Sequence, residues 1–427
     1  MKTIGIIAEY NPFHNGHAYQ IKKIKELTHA DFVIVAMSGD FVQRGAPAIL
    51  DKYARTQMAL SCGADLVLEL PVLWATSSAE YFAMAGVTLF DKMNCVDALC
   101  FGAETDNLTL LSQVAEVLAT EPENYRDALS SYLKEGMTFP QARAKALSLI
   151  IPETSISADD LGFVLNTPNN ILAIEYLKAL RRRNSKIAPF VLKREGTGYH
   201  DTSILTPHAN MDSITICASA TAIRKALLQE DEYLIQSQLK VSMPEEAFSI
   251  LDKYRRQYPF LNTDDFSTPL AYRILMESET GLANFLDAND DISNRILNHR
   301  HQFLSFSQFC EQNKSRDITY TRMSRILLHI LLGLTDATAT LGKRLDYIPY
   351  FRILGFRRSS AAMLTRIKTD SSIPIISKLA DAKNILSPEA FQLLKTDIYA
   401  AELYEQILSH KKKTTPRNEY TRGIVLL

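Results

Sequence analysis

The chain has 427 residues, 46% of them hydrophobic and 22% charged, and a formal net charge of −1. That length exceeds one ordinary core and predicts two or three domains, while the composition excludes long disordered stretches. The near-neutral balance excludes a global basic field, though local patches remain compatible with nucleic acid. Five cysteines (Cys62, Cys95, Cys100, Cys217, Cys310) are scattered and form no C-x-x-C pair, so zinc and redox-pair readings fail on spacing. Buried thiols in a reducing compartment are expected instead. The apolar run at the N-terminus is interrupted by Glu9 and too short for a signal peptide, and no stretch of about 18 apolar residues occurs. A cytoplasmic protein with no membrane partner is the expectation.

In chain order, residues 3–8 read as a buried strand and 16–28 as a helix. Strands follow at 31–37, 65–70, 96–101 and 186–192, each short, apolar and bounded by turn residues. Helical patterns occupy 51–62, 77–90 and 108–119, and helices at 121–149 look added onto the sheet. A further helix, 168–183, opens with Pro168 where proline suits a helix N-terminus. This alternation predicts an α/β fold with a doubly wound, Rossmann-like parallel sheet. After Leu228 strand-like runs largely vanish, and 245–258, 270–279, 321–332 and 361–367 read as helices. The expected organisation is a nucleotide-binding catalytic domain over 1–230, with a helical insertion at about 108–160, and a mainly α-helical domain over 231–427.

Ligands of a doubly wound sheet sit at the carboxyl ends of strands, beside helix N-termini. The segment Ile7-Ala8-Glu9-Tyr10-Asn11-Pro12-Phe13-His14-Asn15-Gly16-His17 joins the first strand to the first helix at such a point. A helix N-terminus offers unpaired N–H groups and partial positive charge, and Gly16 allows close approach of backbone to ligand. His14 and His17 are three apart, so both imidazoles can converge on one phosphate and donate hydrogen bonds to it. The competing readings are a helix cap that packs locally, or a metal site, which lacks cysteine or carboxylate partners at useful spacing.

Other candidates fall at the same edge. Asp40 and Arg44 follow the second strand, where Asp40 suits Mg²⁺ or substrate, or is an ordinary turn aspartate. Gly102 ends a strand where a side chain would block a nucleotide; Asn169, opening a helix, can bond adenine or ribose; Arg194 ends another strand and suits phosphate. A turn glycine, an N-cap and a surface arginine are their plainer readings. Ser219, Thr221 and Arg224 open a further helix, with Ser219 as its N-cap.

The His-x-Gly-His element resembles the HIGH superfamily of nucleotidyltransferases and class I aminoacyl-tRNA synthetases, which form adenylates at the α-phosphate of ATP. Ser219-Ala-Thr-Ala-Ile-Arg224 is similar to the Ser-x-Thr-x-Ile-Arg element of the small nucleotidyltransferases. That resemblance implies phosphate contacts from Ser219 and Thr221, and neutralisation of leaving pyrophosphate by Arg224. Arg322-Met323-Ser324-Arg325 resembles the Lys-Met-Ser-Lys-Ser loop of the synthetases, but it falls in an amphipathic helix and reads as a basic face. Longer strings, at residues 8–17, 37–45, 101–104, 168–170 and 193–200, resemble the bacterial tRNA(Met) cytidine acetate ligases, most densely over 1–230.

This second resemblance implies ATP as a substrate, with Mg²⁺ carried on its phosphates, and acetate and elongator tRNA(Met) as partners. Acetate would attack the α-phosphate in line to give acetyl-adenylate, whose acetyl group passes to the wobble cytidine as N4-acetylcytidine. RNA contacts are expected from basic and aromatic clusters: Lys314, Arg316, Arg322 and Arg325; Lys343, Arg344, Tyr350, Arg352, Arg357 and Arg358; and 411–417. Solvated helix faces are the alternative for each. Two other functions compete. One is a small-molecule adenylyltransferase, against which the large helical C-terminal half argues. The other is a nucleotide-sensing RNA-binding protein without catalysis, against which the intact motifs argue.

Overall fold

The computed structural model describes residues 1–151, 158–194, 219–229 and 239–427. The 195–200 part of the matching strings, Cys217 and the expected boundary near 230 lie outside the described residues.

Strand and helix alternate as the apolar pattern demands. β1 (Thr3–Ala8) leads to α1 (Asn15–Thr28) and β2 (Phe32–Ser38). A small hairpin of β3 (Phe41–Val42) and β4 (Ala46–Pro47) precedes α2 (Lys52–Ser61) and β5 (Leu66–Leu70). Then come α3 (Val72–Ala75), α4 (Ala79–Met93) and β6 (Ala98–Ala103). Four helices, α5 (Leu108–Thr120), α6 (Glu123–Lys134), α7 (Phe139–Ile150) and α8 (Ala158–Asn166), precede α9 (Pro168–Arg182) and β7 (Ala188–Lys193). α10 (Ala220–Leu228) is followed by mostly helical chain.

The pairs β1–β2, β1–β6, β2–β5 and β6–β7 are all parallel. Side chains alternate between two apolar cores, as strands covered on both faces require. Ile4, Ile6, Val33, Val35, Val67 and Cys100 pack on the side of α1, α2 and α10. Ile34, Ala36, Leu66, Leu68, Leu99 and Phe101 pack on the side of α4, α5 and α9. The sheet is therefore doubly wound, as expected.

The C-terminal half departs from expectation by entering this sheet. β8 (Phe351–Phe356) pairs antiparallel with β5, while β9 (Ile375–Ile376) and β10 (Val425–Leu426) pair parallel with β8. The strand is masked in sequence because Arg352 and Gly355 interrupt its apolar run and give it the texture of a basic surface cluster. Arg352 is in fact buried, with only 4% exposure.

Four charges compensate one another at this junction. The Nζ of fully buried Lys52 lies 2.7 Å from Glu419 and 2.9 Å from Glu69. Arg352 pairs with Glu69 at 2.8 Å through Nη1 and with Glu419 through Nη2. Two cations thus face two carboxylates drawn from α2, β5, β8 and the C-terminal tail. Burial alone would raise the Glu419 carboxyl, but Lys52 and Arg352 overcome it and hold the group well below the usual carboxylate range.

Removing one member of such a cluster strands the others. Glu419→Ala should destabilise the protein by about 3–5 kcal/mol in thermal or denaturant unfolding. A carboxylate with a depressed folded-state pKa contributes stability that is full above its unfolded pKa and lost as pH falls. The wild type should therefore lose stability as pH drops below about 4, and Glu419→Gln should flatten that dependence.

Candidate active site

The β1–α1 connection is held by its own side chains. Tyr10 adopts a left-handed backbone (φ 47°), and the Asn11–Pro12 peptide bond is cis. Tyr10 and Phe13 are buried and meet edge to face, with ring centroids 4.8 Å apart. His14 is the N-cap of α1, and its Nδ1 accepts a hydrogen bond from Gly16 N–H at 3.1 Å. In return, Nδ1 of His17 accepts from His14 N–H at 3.2 Å. The two rings stack with centroids 3.7 Å apart. The capping reading is realised, and the cap is what orients the rings.

This arrangement fixes the tautomers. An Nδ1 that accepts an amide proton carries none itself, so a neutral ring must hold its proton on Nε2. Burial, then Arg194 and Arg224, push the His14 imidazolium pKa down to about 3. Burial, then His14 and Arg194, push that of His17 well below its ordinary value. Both rings are neutral near pH 7, and each keeps an Nε2–H for a ligand.

The rings line a cleft with room for about 320 Å³ of solvent at the carboxyl ends of β1, β6 and β7. The structure brings most of the sequence-predicted residues to it: Ile7, Ala8, Glu9, Tyr10, Asn11, Gly16, Arg44, Gly102, Asn169, Arg194, Ser219, Thr221 and Arg224. Pro12, Phe13 and Asn15 shape the turn without lining the cleft. Arg224 donates to Asn11 O at 2.7 Å and to Thr221 Oγ1 at 3.1 Å, tying the start of α10 to the β1–α1 turn. Ser219 caps α10 by accepting from Ala222 N–H at 3.1 Å. Arg44, Lys193, Arg194 and Arg224 face Glu9, the one carboxylate among the described lining residues, so the field favours a polyanion.

Asp40, Arg352, Arg357 and Arg358 do not line the cleft. The Oδ1 of Asp40 accepts from Lys52 N–H at 2.7 Å, and its Oδ2 lies 3.9 Å from the Lys52 ammonium. Burial raises its carboxyl to about 6 against the pull of Lys52 and Arg55. It is a structural acid at the start of α2, with no oxygen turned to the cleft for Mg²⁺ or substrate. Arg352 belongs to the buried cluster and cannot meet RNA. Arg357 and Arg358 follow Phe356, which lies opposite Leu66 at the amino end of β5. They sit one strand length, roughly 16 Å, from the edge that holds the cleft. Gly102 lines the cleft, and a Cβ there would also meet Cγ of Arg194 at 3.3 Å.

Arg322-Met323-Ser324-Arg325 lies in the helix Tyr320–Leu332, and Met323 and Ser324 are buried. Ser324 Oγ donates to Gly45 O at 2.8 Å, beside cleft-lining Arg44. Gly45 has φ 75°, and a Cβ on it would come within 2.4 Å of Arg325 N. The basic-face reading fits Arg322, whereas Arg325 turns to Asp287 at 3.6 Å.

Arg55 was not legible as a site residue. Completely buried in α2, its guanidinium donates to the carbonyls of Glu9 (2.7 Å), Ser38 (3.0 Å), Leu50 (3.0 Å) and Gly39. It ties the ends of β1 and β2 together under the cleft. In sequence it is one more charge on an amphipathic helix, because all four acceptors are backbone groups that only the fold assembles.

A doubly wound sheet with paired neutral histidines at the β1–α1 turn and a capped Ser-x-Thr-x-x-Arg helix opposite defines a nucleotidyltransferase site. A family model described as HIGH Nucleotidyl Transferase matches residues 1–419. Curated proteins named tRNA(Met) cytidine acetate ligase match over the full chain: that of Acetivibrio thermocellus is 36% identical and that of Thermoanaerobacter sp. 38%, with 100% of each chain covered. The crystal structure of apo Thermotoga maritima TmcAL superposes with a TM-score of 0.89 at 27% identity, covering 100% of both chains. The same protein bound with alpha-thio ATP superposes with a TM-score of 0.88. The chain belongs to the HIGH nucleotidyl transferase family, and within it to the tRNA(Met) cytidine acetate ligases.

The tautomer assignment has a spectroscopic consequence. Long-range ¹H–¹⁵N spectra should show unprotonated Nδ1 and protonated Nε2 on both His14 and His17. The His14 signals should not titrate down to about pH 5, because burial has moved its pKa far below the ordinary histidine range.

Proposed function

We propose that this chain joins acetate to ATP, releasing pyrophosphate, and transfers the acetyl group to the wobble cytidine of elongator tRNA(Met). The single observation that carries the first step is the pair of neutral, backbone-oriented Nε2–H donors at the β1–α1 turn. A carboxylate oxygen of acetate attacks the α-phosphorus in line, the α–β phosphoanhydride bond breaks, and pyrophosphate leaves. His14 and His17 stabilise charge developing on the α-phosphoryl oxygens, and Arg224, with Ser219 and Thr221 at the start of α10, receives the departing pyrophosphate. Mg²⁺ travels on the ATP phosphates. Glu9 is the one carboxylate among the described lining residues, and its Oε1 already accepts from Gln43 N–H at 2.9 Å. Acetyl-adenylate is a reactive mixed anhydride, so the second step requires chiefly that the cytidine amine be brought to it.

The names of the relatives support tRNA(Met) as the acceptor. For the RNA path, the geometry favours the cluster Lys314, Arg316 and Arg322. The helix bearing Arg322 packs through Ser324 on the hairpin that carries Arg44 to the cleft. Lys343 and Arg344 are exposed, bonded to Tyr81 Oη and Glu389 respectively, and offer a second contact area. In the 411–417 cluster, Lys411 pairs with Asp265 and Arg417 with Glu405 and Asp51, so internal bonding already engages both.

His14→Ala or His17→Ala should lower acetate-dependent ATP–pyrophosphate exchange by about 10²–10³-fold, the usual effect of removing one such donor. Retention of exchange would sink the catalytic assignment. Arg316→Glu with Arg322→Glu should weaken tRNA binding and shallow its salt dependence, whereas Arg357→Glu with Arg358→Glu should leave both unchanged in filter-binding titrations at several salt concentrations.

A further inference from the structure

Asn169 lies in the cleft between two groups whose hydrogen-bonding roles cannot vary. On one side is Glu104, at the end of β6. Its Oε1 lies 2.7 Å from Asn169 Nδ2 and 3.2 Å from Asn169 N, and its Oε2 lies 2.8 Å from Asn170 N. On the other side is Arg194, whose Nη1 lies 3.4 Å from Asn169 Oδ1. A carboxylate only accepts and a guanidinium only donates, so the amide has one orientation: nitrogen toward Glu104, oxygen toward Arg194 and the cleft.

The support behind Glu104 is reciprocal. Asn170, with no exposed surface, accepts through Oδ1 from Glu104 N–H at 2.9 Å and Thr105 N–H at 3.2 Å. Its Nδ2 donates to Thr167 Oγ1 at 2.6 Å. Glu104 also sits at the N-terminus of α9, where the helix dipole favours its charge. The end of β6 and the start of α9 are thereby locked together by side chains that each satisfy the other's backbone.

An amide normally offers a ligand either a donor or an acceptor, depending on how it is turned. Here Glu104 takes one N–H of the amide and fixes its orientation, so the atom Asn169 turns toward cleft-lining Arg194 is Oδ1, an acceptor with a second lone pair. Phe101, Leu172 and Leu192 also line the cleft, with Gly102, and such apolar lining suits a base better than a sugar. A purine with an exocyclic 6-amine donates to such an acceptor, whereas a purine with a 6-carbonyl sets oxygen against oxygen.

We propose that Glu104 is a positioning residue that sets nucleobase choice, holding Asn169 so that its Oδ1 accepts from the 6-amine of adenine and rejects 6-oxopurines. The inference rests on the reading that this cleft holds ATP. Glu104 touches no substrate; it acts through Asn169.

The test is equilibrium binding of ATP and inosine triphosphate, which replaces the 6-amine with a carbonyl, to the full chain without acetate or tRNA. Wild type should bind ATP more tightly. In Glu104→Gln the Asn169 amide is released to turn over, so the ATP-to-inosine-triphosphate affinity ratio should fall by about tenfold or more, through weaker ATP binding and relatively better binding of the analogue. Equal weakening of both nucleotides would mark a purely structural role and overturn the proposal, as would an unchanged ratio. If Glu104→Gln fails to fold by circular dichroism, Asn169→Ala must erase the same ratio. An Asn169→Ala protein that keeps the ratio but loses discrimination against 2′-deoxy-ATP would put the amide on the ribose and overturn it equally. Wild type that binds neither nucleotide would defeat the ATP reading of the cleft, whereas wild type that binds both equally defeats only the base assignment.

Discussion

The direction in which His14 and His17 face the cleft depends on two amide protons given to imidazole nitrogens. Gly16 N–H and His14 N–H are orphan donors at the start of a helix, and water or a hydroxyl side chain usually satisfies such groups. Here the Nδ1 atoms of His14 and His17 take them. That choice has three effects at once. It ends the β1–α1 turn in one conformation, it stacks the two rings, and it forces both protons onto Nε2. Neutral donors of fixed direction need no reorganisation as charge develops on a phosphate, and burial keeps them neutral across the physiological range.

The turn in turn leans on backbone carbonyls collected by Arg55 and Arg224. Arg55 gathers the ends of β1 and β2 from below, and Arg224 reaches from α10 to Asn11. Neither cation is spent on a carboxylate in these contacts. Each uses a rigid fork of donors to fix main-chain geometry. Glu104 performs the converse task on the far wall, where one carboxylate collects three N–H groups at the start of α9. The cleft is thus bounded by ionic side chains whose first role is to orient neutral polar groups.

The C-terminal half is joined to this frame by charge as well as by packing. Lys52, Glu69, Arg352 and Glu419 come from four separate segments, and their burial is tolerable only because all four are present. The same junction sets β8 beside β5, and the hairpin at Gly45 brings the helix Tyr320–Leu332 beside Arg44. The helix that carries Arg322 is thereby packed on the hairpin that bears cleft-lining Arg44, while Arg357 and Arg358 are carried to the opposite edge.

Read alone, the sequence determined the parallel strands β1, β2, β5, β6 and β7, the helices between them, and the segments that meet in the cleft. It could do so because periodicity, caps and turn residues are local signals, and because a doubly wound sheet sends the carboxyl ends of its parallel strands to one edge. It also carried His14, His17 and the Ser219–Arg224 element, whose spacing encodes their joint geometry. Only the tertiary structure decided that residues 351–356 are a strand, that Arg352 and Asp40 are internal, and that Arg55, Glu104 and Asn170 are supports of the site. Those facts rest on partners up to hundreds of residues apart, and a buried arginine or aspartate is indistinguishable in sequence from a solvated one until its partners are assembled around it.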